Sequence, residues 1–243
     1  MMGQTEASME RPLGSARPAP NSRGLSWWQW LLLPAMGAMI FFSFHLPTPM
    51  RDNAAIVQGQ NAAFRIVYYH VPMAWVTVLA YFTSIFFGVR YLRSRRWEDD
   101  EKAATAAGLG TVFCVLAALS GSVFSKIAWG SYWNWDPRQV SIAMLLLIYA
   151  SYFTLRGAVH SDSARGSLSA AYSILAIFAV PFFMFIMPRM NPSLHPARMD
   201  MTALSHRLVF WSSLVCFTLL FVWMLKLAFR VHLAQGARLR ERS

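Results

Sequence analysis

Six apolar runs separated by short polar connections constrain this chain more than any other feature. They cover residues 27–44, 71–92, 104–127, 140–155, 168–187 and 208–229. Each is close to the roughly 20 helical residues that cross the hydrocarbon core of a bilayer. A backbone in lipid has to satisfy its own hydrogen bonds, and runs of this length do so as helices. Charged residues make up 14% of the chain, against about 25% in soluble domains. All eleven acids (Glu6, Glu10, Asp52, Glu98, Asp99, Asp100, Glu101, Asp136, Asp162, Asp200 and Glu241) fall outside the runs, as the cost of a charge in lipid requires. The predicted fold class is an all-α integral membrane protein, a bundle of six transmembrane helices with no internal repeat and no soluble domain.

Six crossings put both termini on one side, and the cations choose it. Fifteen lie on the side of the N-tail (Arg11, Arg17, Arg23), the second connection (Arg90, Arg93, Arg95, Arg96, Lys102), the fourth (Arg156, Arg165) and the C-tail (Lys226, Arg230, Arg238, Arg240, Arg242). Seven lie opposite: Arg51, Arg65, Lys126, Arg138, Arg189, Arg198 and Arg207. The richer side is expected to be cytoplasmic. The formal charge of +11 is therefore read as membrane orientation and not as nucleic-acid binding. Residues 1–25 are polar and rich in Pro, Ser, Gly and Arg, and read as a disordered cytoplasmic tail. Residues 26–230 form the membrane domain, and 231–243 a basic cytoplasmic tail. Cys114 and Cys216 sit in apolar runs without a CxxC pattern, which predicts buried structural thiols.

The third outer-side feature is chemical. "IAWGSYWNWDPRQV", residues 127–140, packs Trp129, Tyr132, Trp133 and Trp135 between two apolar runs on the outer side. Interfacial aromatic belts account for Trp27, Trp28 and Trp30. Four large rings within seven residues, beside Gly130 and Ser131, suit a platform for a flat apolar ligand. In helical form Trp129 and Trp133 would share one face. Asp136-Pro137 is a helix start, because Asp is a favoured N-cap and Pro a favoured first residue. Arg138 would then stand in a first helical turn, where the macrodipole disfavours a cation, and so calls for an anionic partner. Arg65 is placed similarly, on the outer side just before His70.

Of six histidines, His160 and His232 fall on the cytoplasmic side, and His45, His70, His195 and His206 on the outer side. His45 and His206, at a span end and a span start, read as interfacial polar residues. His70 and His195 lie in different outer connections. Two imidazoles from two loops, neutral at pH 7, are suited to hold the iron of a planar macrocycle. A haem has an apolar disc, two propionates and an iron, and the aromatics, arginines and histidines match those parts. None of the six histidines lies midway through an apolar run, so a transmembrane electron-transfer cytochrome with stacked midspan ligands does not fit. Transporters carry midspan charges or paired broken helices; here the midspan acids are missing, and Pro181 in the fifth run is a kink candidate with no obvious matching partner in the other half.

"WGSYWNWDPR" resembles the tryptophan-rich signature of haem-handling proteins of cytochrome c maturation. With the six spans, "FRIVYYHVPMAW" and "SLHP", the chain resembles the CcmC family from first span to last. The Asp-Pro ending also resembles CcsA, whose implied role, haem delivery or cytochrome c synthesis, is the alternative. The resemblance implies non-covalently bound, b-type haem at the outer face of the bacterial inner membrane, with His70 and His195 as axial ligands. It places the haem against Trp129, Tyr132, Trp133, Trp135 and Asp136, with Arg65 and Arg138 on the propionates. It further implies presentation of haem for covalent attachment to the periplasmic chaperone CcmE, beside the ATP-binding-cassette pair CcmA and CcmB and the small subunit CcmD. The implied activity is a haem-binding transfer module able to promote bond formation between haem and the chaperone, and no classical catalytic site is seen in the sequence.

Overall fold

The computed structural model describes residues 26–46, 61–195 and 203–241. Helix α1 spans Trp27–His45, and α2 spans Val67–Ser94 after a 3-10 segment at Asn61–Ile66. Helices α3 (Trp97–Trp129) and α4 (Pro137–Ala158) follow. The next crossing joins α5 (Asp162–Pro181), a π-helical turn (Phe182–Ile186) and the short α6 (Met187–Met190), and α7 runs over Leu204–Glu241. There is no strand among the described residues. Six helical stretches are long and apolar enough to cross a membrane, one for each apolar run. The expected tail at 1–25 and the outer-side Arg51 and Arg198 lie outside the described residues.

The helices outrun the apolar runs where terminal charges favour them. α3 carries Glu98, Asp99 and Asp100 in its first turn, where the helix dipole welcomes acids. α7 continues through most of the expected C-terminal tail, a stretch rich in the helix formers Ala, Leu, Gln and Arg. α2 begins upstream of His70, so this residue sits in the helix's first turns and not in a loop. α4 starts where Asp-Pro places it, with Asp136 as N-cap accepting from the Arg138 amide.

α2 is the hub, packed on α3 and also on α5 and α7. Small residues permit this closeness, as at other membrane helix interfaces. A Cβ on Gly110 would stand 2.8 Å from the Tyr81 ring, and one on Gly88 3.0 Å from Ser173 Oγ. One apolar cluster joins Met39 of α1, Val76 and Ala80 of α2, Phe113 of α3 and Phe217 and Phe221 of α7. A second joins Tyr81, Cys114, Leu145, Tyr149, Tyr152 and Val180. Cys114 and Cys216 are both buried and free.

At the arginine-rich end, the acids of α3 tie the bundle together. Arg156 of α4 grips Asp100 through two hydrogen bonds of 2.8 Å. Asp99 faces Arg90 of α2 at 3.5 Å, and Glu101 faces His232 of α7 at 3.2 Å. His232 is thus a pairing residue of the bundle end. The Arg156–Asp100 side chains are each only 14% exposed. Removing one partner of such a pair leaves an uncompensated charge and costs about 3–5 kcal/mol. Arg156→Ala is therefore expected to lower the melting temperature in detergent clearly. Glu98→Ala, whose partner Arg96 is 62% exposed, should change stability by about 0–1 kcal/mol. Equal melting temperatures for the two variants would refute this ranking.

Candidate functional site

At the opposite end, the starts of α2, α4 and α7 meet the ends of α3 and of the fifth crossing around one cavity of about 450 Å³. That lies within the range of small-ligand and cofactor sites, about 300–1,000 Å³. Its walls are mostly apolar and aromatic: Phe64 and Val71 of the second crossing, Phe124 and Trp129 of α3, Ile142 of α4, Phe183 of the π turn and Phe210 of α7. His70, His195, Asp136, Arg138 and Arg189 are the ionisable residues on the lining.

His70 is held from behind. Its Nδ1 lies 3.0 Å from Ser120 Oγ, and that hydroxyl is 3.1 Å from the Ala117 carbonyl. A serine has one proton to give. With it directed to Ala117, the Ser120 oxygen accepts from His70 Nδ1–H. This selects the tautomer whose Nε2 keeps a free lone pair, the form that ligates metals. The ring also lies close against α3, where a Cβ on Gly121 would stand 2.9 Å from His70 Cε1. Ser120→Ala would release the tautomer. Outer-shell partners of this kind are worth about 10–100-fold in affinity, so titration of the purified variant with haem should show a loss in that range. A Ser120→Ala affinity equal to wild type would remove Ser120 from the site.

The tryptophan stretch is not helical. Gly130, at φ 81°, closes α3 in the left-handed conformation that glycine adopts freely. Residues 130–136 form a loop fixed by its own polar side chains. Asn134 Nδ2 donates to Ser125 Oγ at 2.6 Å, and Ser125 donates to the Ser131 carbonyl at 2.7 Å. Gln139 accepts from the Asn134 amide and donates to the Tyr132 carbonyl. Trp129 and Trp133 still reach the same cavity, but across a loop and not along a helix face. Trp129 stands edge-on to Phe124, with centroids 5.5 Å apart.

Tyr132 and Trp135 are not on the cavity lining. Tyr132 lies under the Lys126 ammonium at 5.6 Å, and Trp135 is 77% exposed. Trp135 holds φ 55°, which is strained for a bulky residue.

Arg65 does not line the cavity either. Its guanidinium donates to the Ser43 and Phe44 carbonyls at 2.6 and 2.5 Å, closing the C-terminal end of α1. Arg189 stands on the lining instead, near enough to Arg138 for mutual repulsion. Arg138 Nε is buried without a hydrogen-bond partner. Two guanidinia share the described lining with the single carboxylate of Asp136, and one keeps an orphan donor, so the site is short of one anion. Arg189 is brought there by Pro181. Proline lacks an N–H and clashes with the preceding turn; the π turn that follows re-aims the chain, so that Phe183, Met184, Pro188 and Arg189 all border the cavity. Pro181 was legible as a kink, but the partner it delivers was not.

Of the other histidines that the sequence reading put on the outer side, His45 stacks on Phe41 with centroids 3.9 Å apart, and His206 is buried against the Tyr68 hydroxyl. Among the described residues there is no cluster of three or more His, Cys, Asp and Glu suited to a bare metal ion.

Fold and site together define a six-crossing helical protein with an aromatic, imidazole-bearing and cationic cavity at one end. The chain belongs to the CcmC family: the family model described as haem exporter protein C matches residues 22–242. It is similar to the haem exporter protein C of Bradyrhizobium diazoefficiens, 31% identical over 168 residues, covering 67% of this chain and 64% of the relative. It is also similar to the haem exporter protein C of Paracoccus denitrificans, 28% identical over 131 residues, 51% of this chain and 54% of the relative. A cytochrome c biogenesis protein CcsA of Panax ginseng matches at 31% over 101 residues, 41% of this chain and 32% of that protein. The matched segments thus span between a third and two thirds of these relatives.

Proposed function

We propose that this chain binds haem in the cavity at the tryptophan-rich end and presents it to a periplasmic haem chaperone of the CcmE type during maturation of c-type cytochromes. The observation that carries this reading is the joint placement of His70 and His195 on one aromatic cavity that also holds Arg138 and Arg189. The donor set fits haem part by part. Neutral imidazoles suit the iron, the aromatic walls suit the macrocycle, and the unpartnered guanidinium donor suits a propionate. The two cysteines are buried among the helices, away from the cavity lining, which favours non-covalent, b-type binding. When bound, haem would supply the iron for ligation and the vinyl group that joins the chaperone.

The chain's own part is then placement. Trp129 and Trp133 border the cavity; His70 and His195 would hold the iron, and Arg138 and Arg189 would hold the propionates. Such positioning lowers the entropic barrier to a bond formed with a second protein. The excess of cations at the opposite end supports a cytoplasmic location for that end. The cavity then opens toward the periplasm, in the bacterial inner membrane. Membership of the CcmC family is what favours CcmA, CcmB and CcmD as partners.

Co-production with a tagged apo-chaperone tests the reading. The purified chain is expected to carry haem, visible by its absorption bands. The chaperone is expected to gain the mass of one haem only when this chain is present. Chaperone loading independent of the chain, with the chain purified free of haem, would refute it.

A further inference from the structure

We propose that Asp136 is a positioning residue for His195, holding the third outer loop onto the tryptophan loop. The inference rests on the reading of His195 as an iron ligand. Asp136 is 5% exposed, and its carboxylate makes two sets of bonds. Oδ1 caps α4 by accepting from the Arg138 amide at 2.9 Å. Oδ2 accepts from the Leu194 amide at 2.7 Å and from the Ser193 hydroxyl at 2.8 Å. The same Ser193 oxygen accepts from the His195 amide at 3.1 Å. The residue before the histidine, and the one before that, are therefore fastened to the start of α4.

This second role is not needed for capping. A cap needs only the bond from the Arg138 amide to Oδ1, yet Oδ1 also accepts from the Ser193 hydroxyl at 3.1 Å, and Oδ2 is given wholly to Ser193 and Leu194, 57 and 58 positions away in sequence. The two candidate ligands are consequently held by different means. His70 is built into α2 and keyed by Ser120. His195 stands on a loop, and hydrogen bonds through Ser193 and Leu194 tie its backbone to one buried carboxylate. Hydrogen bonds to a charged acceptor are among the stronger ones, so Asp136 holds Ser193 and Leu194 firmly against the start of α4.

Two variants separate latch from cap. Asp136→Asn keeps a favoured N-cap residue, but its one carbonyl oxygen cannot serve both the Arg138 and Leu194 amides. Ser193→Ala leaves the cap untouched and removes the hydroxyl. In the full-length, haem-free protein in detergent, hydrogen exchange at the Leu194 and His195 amides is expected to quicken on the order of tenfold in both variants, with α4 unchanged. On titration with haem, both are expected to show a mixture of one-imidazole and two-imidazole absorption spectra. Added free imidazole should restore the two-imidazole form, and Ser193→Thr should keep it without addition. Unchanged exchange in both variants would overturn the latch. So would a shifted spectrum that imidazole fails to restore, because that marks general damage to the cavity. Wild-type protein that binds no haem would overturn the haem reading alone, since the exchange measurement still decides whether the latch exists.

Discussion

His70→Ala is expected to abolish retention of haem through purification while leaving the protein folded. Loss of an outer-shell partner costs about 10–100-fold in affinity, and loss of the ligand itself should exceed that range. The fold should survive for a local reason. Truncating His70 removes the donor to Ser120, but the Ser120 hydroxyl still donates to the Ala117 carbonyl. No buried proton is orphaned, which is the situation that makes polar deletions expensive. The space vacated joins an existing cavity and so opens no new void in a packed core. The measurement is a haem titration followed by absorbance, beside a melting curve of the same sample. Haem affinity within tenfold of wild type would remove His70 as a ligand. A collapsed melting curve would show instead that the imidazole is a structural element of α2.

The sequence made the crossings plain because lipid imposes one rule on every residue of a span. Six runs therefore became six crossing stretches. The start of α4 was legible for a similarly local reason, since Asp136-Pro137 encodes a cap by itself. What escaped was how individual polar and aromatic side chains are partnered between distant segments. Arg65 and Arg138 look alike in sequence, each an outer-side cation near a helix start. Only packing shows that Arg65 meets the carbonyl end of α1 whereas Arg189 meets the cavity. The aromatic stretch invited a count of rings, yet a glycine cap and the side chains of Asn134 and Gln139 turn two of them in and two away. Ser120 and Ser193 gave no signal, because a serine's value here lies in which single proton it spends and on whom.

Gly121 carries the second large effect, and it separates affinity from stability by sign. Its position in α3 is helical, where replacing Gly by Ala gains roughly 0.8–1 kcal/mol of helix propensity. The new methyl would also stand 2.9 Å from His70 Cε1. That atom belongs to the far end of a side chain, so the ring can turn aside and the backbone need not move. The displaced imidazole then loses its bond to Ser120 and its direction toward the cavity. Gly121→Ala is expected to melt at or above the wild-type temperature while haem affinity falls about 10–100-fold, the cost of a misdirected ligand; Gly121→Val should lose more affinity. Gly108, in the same helix, has open space where its Cβ would be. Gly108→Ala should therefore raise the melting temperature with no change in affinity. If both alanine variants behave alike in the titration, the ring of His70 is not seated as described, and the closeness of α3 to the site serves packing only.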